Sequence, residues 1–345
     1  MSALPEYIYF EKDPAQRLQE LITEMKPDHL AVLVDDNTEK HCLPLLKLQN
    51  ATVIQIPAGE RHKNLHTCEQ IWHHMTEAGM GRSSILINIG GGVIGDMGGF
   101  AAATFKRGIR FINIPTTLLS QVDASIGGKL GVDFNGLKNH IGVFRDPNAV
   151  ILSDIFLKTL DFRQLRSGFA EVIKHGLIWD QEYYKKNQQS PFPEKVDWTY
   201  LLRRSVEIKG EVVQEDPLEK GLRKILNFGH TLGHAVETFH LENGMDILHG
   251  EAIAIGMIME MHLSHQLEWI DEDTLESFTS WIADLYGKMD TVPGIDHLYP
   301  LMTQDKKNSG NAINFSLIDR IGSCRYDVQV EEQAIENAIA YYRNL

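Results

Sequence analysis

The feature of the sequence that most constrains the fold is a change of pattern near residue 160. Before that point, short apolar runs rich in β-branched residues alternate with amphipathic segments. The five runs are HLAVLVDDN, ATVIQIPAGE, SSILINIGGG, RFINIPTT and AVILSD. Apolar runs separated by helical segments predict a parallel, doubly wound sheet. We therefore expect a Rossmann-like α/β domain over residues 1–160.

After about Phe162 the strand pattern almost disappears. Long segments with helical periodicity follow, from RQLRSGFAEVIKHGLIWD through LRKILNFGHTLGHAVETFH to EDTLESFTSWIADLYG. A late pair of β-like runs, INFSLI and SCRYDVQV, precedes a closing helix, and KKNQQSPFPEK is predicted to be a surface loop. Residues 161–345 are therefore expected to form a second, mainly α-helical domain. A chain of 345 residues is long enough for two such cores.

Composition and charge exclude several classes of protein. A net charge of −14 argues against a nucleic-acid partner, which needs a basic surface. The opening MSALPEYIYFEKD lacks the features of a signal peptide, and the apolar stretch EAIAIGMIMEMHLSHQ is too short to span a bilayer. Three dispersed cysteines, Cys42, Cys68 and Cys324, favour a reducing compartment. We expect a cytoplasmic protein without a membrane or nucleic-acid partner, and a small anionic ligand remains compatible with the charge.

A glycine run follows the third apolar run. Gly90, Gly92 and Gly95 match GxGxxG at a strand-to-helix junction, where backbone N–H groups can approach a pyrophosphate. The acidic residue expected about 20 positions later is missing from GIRFINIP. Two interpretations stay open: a structural turn, or an NAD site whose ribose anchor comes from another strand end. Polar candidates for that anchor follow the first two runs: Asp35, Asp36, Asn37, Glu60 and Lys63.

The segment NFGHTLGHAVE carries His230 and His234 four residues apart, on one face of a predicted helix. In a chain with 15 histidines such a pair can also be structural. A third histidine, His249 in LHGEAIAIGM, and the carboxylate of Glu171 in an apolar segment favour a metal site. Two histidines, one carboxylate and an open position form a catalytic zinc site. The residues alone do not decide which two histidines are the ligands.

Cations and amides accompany these motifs. The stretch DASIGGKLGVDFNGLKNHIG lacks helical periodicity and is predicted to be a loop that can surround an anion. Each charged residue taken alone is explained by surface solubility. Their clustering beside the metal and glycine motifs favours a polyanionic substrate. The candidates are Asp123, Lys129, Lys138, Asn139, Lys174, Lys209, Arg223, Asn227, Lys306 and Lys307.

Five segments resemble, in order and spacing, the 3-dehydroquinate synthase family of sugar phosphate cyclases. They are GGGVIGDMGGFAAATFKRGIRFINIPTTLLSQVDASIGGK, KNHIGVF, GFAEVIKHGLI, ILNFGHTLGHAVE and HGEAIAIGM. The resemblance implies NAD, zinc (for which cobalt can substitute), a homodimer and a lyase of the shikimate pathway. It implies conversion of 3-deoxy-D-arabino-heptulosonate 7-phosphate to 3-dehydroquinate and phosphate. The implied steps are, in order, transient oxidation at C5, elimination of phosphate, reduction, ring opening and aldol closure.

The resemblance also implies roles for individual residues. Zinc is expected on Glu171, His230 and His249, which leaves His234 off the metal. The substrate phosphate is expected on Arg107, Lys129, Asn139, Asn227, His234 and one of Lys306 and Lys307. The substrate carboxylate is expected on Lys209 and Arg223, and the ring hydroxyls on Asp123, Lys138 and Lys174. Cofactor-binding positions are Asp35, Asn37, Glu60, Lys63, Gly90, Gly91, Gly92, Val93, Gly95, Asp96, Thr116, Thr117, Lys129, Lys138 and Thr159.

After GGK, the residues Leu130, Asp133, Phe134 and Asn135 depart from the pattern of many members. It also reads TLDFR where many have TLPxR. Other cyclases, of the valiolone or deoxyinosose type, are the nearest alternative, but their substrates lack the carboxylate that Lys209 and Arg223 would hold. The SIGGK and AEVIK segments argue against a metal-dependent polyol dehydrogenase. The complete set of ligands argues against a non-catalytic nucleotide-binding protein.

Overall fold

The computed structural model describes residues 4–135, 137–304 and 313–345. Contacts divide the chain into two compact units, each built from two segments. The first unit comprises Met1–Leu165 and Trp198–Gly210, and the second comprises Arg166–Asp197 and Glu211–Leu345. The sequence pattern predicts one boundary after residue 160, whereas the chain passes between these units three times.

The strands of the first unit are β1 (Ile8–Phe10), β2 (Leu30–Asp35), β3 (Thr52–Ile56), β4 (Ile85–Gly90), β5 (Arg110–Pro115), β6 (Lys129–Phe134), β7 (Leu137–Phe144) and β8 (Ala149–Leu152). Six of them form a parallel sheet with the order β1-β8-β5-β4-β2-β3. The five apolar runs form β2, β3, β4, β5 and β8, which confirms the predicted parallel sheet. The sequence pattern did not reveal β1, because three residues are too few to show a period.

Helices cover both faces of the sheet, as the doubly wound architecture requires. They are α1 (Pro14–Met25), α2 (Asp36–His41), α3 (Leu65–Glu77) and α4 (Gly92–Thr104). Side chains of β2 alternate between two apolar clusters. Leu33 packs with Met97 of α4 on one face, and Val32 packs with Leu18 of α1 on the other. Each such buried aliphatic side chain contributes about 1.5–3 kcal/mol relative to an exposed one.

Strands β6 and β7 form an antiparallel hairpin in the segment predicted to be a loop. The prediction of a loop was wrong because glycines and charges hide the alternation: Leu130 and Val132 are buried, whereas Lys129 is exposed. Leu130 packs on α4, where a Cβ on Gly99 would lie 2.4 Å from its Cδ2. The leucine that departs from the family pattern is therefore a core residue of the hairpin.

The second unit is mainly helical and contains one small hairpin. The α-helices from residue 162 onward are α5 (Phe162–Trp179), α6 (Gln181–Gln189), α7 (Trp198–Glu215), α8 (His230–Glu242), α9 (His249–Gln266), α10 (Glu272–Tyr286), α11 (Ile295–Gln304) and α12 (Glu332–Arg343). Most of α7 belongs to the first unit, and the other helices lie wholly or mainly in the second. The hairpin consists of β9 (Phe315–Arg320) and β10 (Ser323–Val328). The long helices and the late β pair confirm the predicted mainly helical second half.

Two local predictions in this unit were wrong. Helix α6 takes up the first part of the supposed loop KKNQQSPFPEK, because Asp180 caps it and Tyr183 and Tyr184 are buried. The segment LRKILNFGHTLGHAVETFH does not form one helix, since Gly229 has a φ of +78° and α8 begins only after it. Within the described parts of the chain, none of the helices has the length and apolar character needed to cross a membrane.

Candidate active site

The glycine run lies where β4 ends and α4 begins. Gly91 is the N-cap of α4 and provides no side-chain cap, so the first-turn N–H groups face an anion-favouring position. Gly90 is required by packing, because a Cβ there would lie 2.5 Å from Ile94. A Cβ on Gly95, in contrast, would meet nothing within 4 Å. Gly95 therefore borders open space that a ligand can approach.

This space belongs to a small crevice within the first unit. The crevice brings together residues of the glycine turn and of the β6–β7 hairpin that the sequence assigned to cofactor and substrate. It is lined by Gly92, Gly95, Asp96, Asn113, Ala124, Ser125, Gly128, Lys129, Leu130 and Pro147.

Lys63 is buried in contact with two carboxylates, one of which, Asp96, lines this crevice. Its Nζ lies 2.6 Å from Oδ2 of Asp96 and 3.9 Å from Oε1 of Glu60. Burial alone lowers the pKa of Lys63, but the charges of Asp96 and Glu60 outweigh this effect and raise it. The lysine therefore stays charged and ties α4 to the segment after β3.

The backbone at Lys63 also fixes the β6–β7 hairpin. The carbonyl of Lys63 accepts a hydrogen bond from the amide of Asp133 at 2.8 Å. The carboxylate of Asp133 accepts one from the amide of Asn139, also at 2.8 Å, and Asn139 has a φ of +49°. The aspartate that departs from the family pattern thus holds the backbone at Asn139, next to Lys138.

Lys209 of α7 is buried and bonded to Asp123. Its Nζ donates to the carbonyl of Asp123 at 2.6 Å and to Oδ1 at 2.7 Å. Asp123 lies in the π-helical turn Ser120–Ala124 that follows β5. Two predicted substrate residues, far apart in sequence, are therefore in contact within the first unit.

Several other predicted cofactor residues have structural contacts of their own. Asp35 caps α2 by accepting from the amides of Asn37 and Thr38 at 3.0 and 2.8 Å. The amide of Thr116 donates to the carbonyl of Gly90, and the Thr117 hydroxyl bonds to Ser120. Val93 lies in the first turn of α4. Arg107 and Thr159 end two short 3-10 segments and are exposed; among the residues described, neither lines the crevice.

A second cluster, in the helical unit, contains the predicted metal ligands. Glu171 of α5 is fully buried, and its Oε1 lies 3.6 Å from Nε2 of His230 and 3.8 Å from Nε2 of His249. His230 and His249 are the first residues of α8 and α9. His234, one turn along α8, also contributes a ring nitrogen, and one nitrogen from each of the three histidines lies within 4.8 Å of the others.

Hydrogen bonds at the far side of each ring orient the two imidazoles. Nδ1 of His230 lies 3.0 Å from the carbonyl of Phe228, which can only accept, so this nitrogen carries the proton. Nδ1 of His249 lies 3.3 Å from Oε2 of Glu237. Both rings consequently present Nε2 to the cluster, as outer-shell partners of metal-bound histidines do.

Charge is concentrated at this cluster. The buried ammonium of Lys174 contacts Oε2 of Glu171, leaving Oε1 on the side of the histidines. Burial alone lowers the pKa of His249, but the charge of Glu237 and hydrogen bonds with Glu171 and Glu237 raise it to about 9.

The geometry fits a zinc ion. Donor atoms around a tetrahedral zinc with bonds of about 2.1 Å lie roughly 3.4 Å apart. The observed separations of 3.6 and 3.8 Å between one carboxylate oxygen and two imidazole nitrogens are close to that value. Once deprotonated at Nε2, the two imidazoles would form, with the carboxylate, the donor set of a catalytic zinc site.

The remaining predicted residues of this unit lie just before α8. Arg223 is buried, and its Nη1 donates to the carbonyl of Pro217 at 2.8 Å. The amide group of Asn227 donates to Glu219 at 3.0 Å. Lys306 and Lys307, one of which was expected on the phosphate, lie outside the described residues.

Sequence reasoning assigned no role to Glu237, although a signal was present. Glu237 stands seven residues after His230 and three after His234, so it shares their face of α8. Its contact with His249 is invisible in sequence, because it joins two helices.

Comparisons with known proteins agree with this arrangement. The 3-dehydroquinate synthase N-terminal model matches residues 53–167, and the C-terminal model matches residues 168–308. The 3-dehydroquinate synthase of Parabacteroides distasonis is 43% identical over 340 residues, covering 96% of both chains. That of Acetivibrio thermocellus is 39% identical over 349 residues, covering 96% of this chain and 95% of the other.

A solved structure extends the likeness to three dimensions. The 2-epi-5-epi-valiolone synthase of Streptomyces hygroscopicus, solved with NAD+ and Zn2+ bound, has a TM-score of 0.85 and 26% identity. The superposition covers 100% of this chain and 99% of that one. Two family models together span most of the chain, and its relatives match it nearly end to end. The chain therefore belongs to the 3-dehydroquinate synthase family.

Proposed function

We propose that the protein is a 3-dehydroquinate synthase. It takes 3-deoxy-D-arabino-heptulosonate 7-phosphate to 3-dehydroquinate and inorganic phosphate, with NAD reduced and reoxidised in each turnover. The observation that carries the proposal is the centre formed by Glu171, His230 and His249, in a chain of this family. Its donor geometry supports zinc, and the crevice beside Gly95 supports NAD.

The two groups have separate places in the proposal. Glu171, His230 and His249 would hold the zinc, which when bound supplies a Lewis acid for the C5 oxygen. Gly92, Gly95 and the first turn of α4 would hold NAD, which when bound supplies the hydride acceptor for C5. Lys174 and Glu237 fix the orientation of a carboxylate and an imidazole at the metal centre.

The substrate is anionic at two ends, and the proposal assigns cations to each. Lys209 and Arg223, both buried, are proposed to bind the carboxylate. Arg107, Lys129, Asn139, Asn227, His234 and a lysine of the DKK segment are proposed to bind the phosphate, and Asp123, Lys138 and Lys174 the ring hydroxyls. The contact of Asp133 with the Asn139 amide supports a preformed hairpin, which orients the phosphate before elimination. The bound phosphate can then itself accept the C6 proton.

Phosphate release tests the function directly. The zinc-loaded protein is incubated with the heptulosonate phosphate and a substoichiometric amount of NAD, and phosphate and dehydroquinate are measured. Many turnovers per NAD would support the proposal, because a dehydrogenase would stop after one. If no phosphate appears while zinc and NAD still bind, the assignment fails. Phosphate release from a heptulose phosphate without the carboxylate would then identify a valiolone-type cyclase.

Replacing Asp35 should separate its two roles. Asp35→Ala removes the cap of α2 and is expected to cost about 1 kcal/mol of unfolding free energy as well as weakening NAD binding. Asp35→Asn keeps a good cap, so stability should return while NAD binding stays weaker than in the wild type. Thermal unfolding and NAD titration measure the two effects. An unchanged NAD affinity in Asp35→Ala would remove this residue from the cofactor site.

We also propose that the enzyme is a cytoplasmic homodimer, as the family resemblance implies. The three cysteines, free in the structure, support a reducing compartment. A mass in solution near twice 39.1 kDa is expected in sedimentation experiments. A monomer at micromolar concentration would contradict the proposed dimer.

A further inference from the structure

Helix α8 begins with a conspicuous lack of local capping groups. Its N-cap is Gly229, which has no side chain, and the residue at the third helical position is Leu232, which has no polar atom. A capping box would use side chains at these two positions to satisfy the N-cap and third-position amides. The sequence therefore leaves the start of the helix that carries His230 dependent on a group from elsewhere.

Glu260 of α9 supplies both acceptors. Its Oε2 accepts from the amide of Gly229 at 2.6 Å, and its Oε1 accepts from the amide of Leu232 at 3.0 Å. The side chain is fully buried. One carboxylate on a neighbouring helix thus performs the task of a capping box, and its charge lies at the positive end of the α8 dipole.

Glycines make this reach possible. A Cβ on Gly256 would lie 2.0 Å from the carbonyl of Gly229, and a Cβ on Gly229 would lie 2.5 Å from Met257. The start of α8 therefore packs directly on the backbone of α9, one turn before Glu260. This close packing of the two helices keeps the Glu260 carboxylate buried at the start of α8.

We propose that Glu260 is a positioning residue for the metal centre. His230 is the first residue of α8 and His249 is the first residue of α9, so the two proposed ligands stand on the helices that Glu260 joins. By fixing where α8 begins, its carboxylate sets the distance from Nε2 of His230 to Oε1 of Glu171. This inference rests on the zinc assignment of the proposed function, and it adds a residue that acts on the ligands through the backbone of α8.

The test measures metal affinity rather than turnover. Zinc-free full-length protein is titrated with zinc against a chelating dye, for the wild type, Glu260→Gln and Glu260→Ala. Loss of an outer-shell partner usually weakens metal binding by about 10- to 100-fold, and that range is expected for Glu260→Gln. The glutamine keeps the shape but offers one acceptor to two amides. NAD affinity, a property of the other unit, should not change.

Ser264→Ala is the matched control. Ser264 is buried on the same helix one turn further, and its hydroxyl donates to the backbone carbonyl of Glu260. This variant should keep wild-type zinc affinity even if its melting temperature falls. A lowered melting temperature with wild-type zinc affinity in Glu260→Gln would overturn the positioning role. Absence of zinc binding in the wild type would overturn the metal assignment and this inference together.

Cobalt provides a second readout. The visible absorption of Co2+ bound to the wild type and to Glu260→Gln reports the ligand geometry directly. An altered spectrum in Glu260→Gln but not in Ser264→Ala would support the proposal. Identical spectra in all three proteins, with equal cobalt affinities, would contradict it.

Discussion

Glu171→Gln is expected to weaken zinc binding by more than about 100-fold and to remove the cyclase activity with it. The limit exceeds the range for outer-shell partners because Glu171 is proposed to touch the ion itself. Glutamine has the same shape but no charge, and its oxygen is a poorer ligand than a carboxylate. Metal content after desalting and phosphate release with added zinc measure the two effects.

The same change also affects stability, because Lys174 loses its carboxylate partner in the interior. Breaking a buried pair on one side costs about 3–5 kcal/mol. The double variant Glu171→Gln with Lys174→Met removes both charges, so it should recover stability without recovering zinc. Glu237→Gln should give a smaller loss of zinc affinity than Glu171→Gln, since Glu237 is proposed to contact a ligand ring rather than the ion. Full zinc content and activity in Glu171→Gln would refute the ligand assignment.

Lys209→Ala is expected to lower kcat/KM for the heptulosonate phosphate by roughly 30- to 4,000-fold. This range corresponds to the 2–5 kcal/mol typical of truncating one partner of a buried charge pair. The variant loses a cation for the substrate carboxylate and also leaves Asp123 without its lysine, so a negative charge remains where an anion must bind. NAD affinity should stay close to that of the wild type.

Lys224→Ala is a suitable control. Lys224 pairs with Asp327 at 2.7 Å, the same distance as between Lys209 and Oδ1 of Asp123, but on the surface. An exposed pair contributes about 0–1 kcal/mol, so kcat/KM should change little. For a substrate analogue without the carboxylate, Lys209→Ala should lower kcat/KM far less than it does for the natural substrate. Equal losses for both compounds, or for substrate and NAD, would contradict the role of Lys209.

Much of the fold was predictable because buried parallel strands appear in sequence as continuous apolar runs. The hairpin of β6 and β7 was not, since Leu130 and Val132 alternate with glycine and charged residues over a short stretch. Helix α7 shows clear periodicity, but nothing local indicates which unit it joins. That depends on Val206, whose partners Ile8 and Val150 are distant in sequence.

The candidate site was predictable in its residue types and much less so in its support. Histidine spacing and an acid in an apolar stretch point to a metal, and the structure brings Glu171, His230 and His249 together. The groups that orient them escape sequence reasoning because their partners are backbone atoms or lie on other helices. Glu237 and Glu260 are examples: each acts across a contact between α8 and α9.

The return of Trp198–Gly210 to the first unit has a consequence for the order of folding. A ribosome releases the chain from the N-terminus, and domains generally fold as units during synthesis. Here the apolar cluster of Ile8, Val150 and Leu152 is completed by Val206, which is made some fifty residues after the last strand of the sheet. The nascent first unit therefore cannot complete its fold until α7 has emerged, and part of its apolar interior is exposed to water until then. A fragment that ends near residue 160 should expose the same apolar cluster, and adding residues 198–210 should cover it.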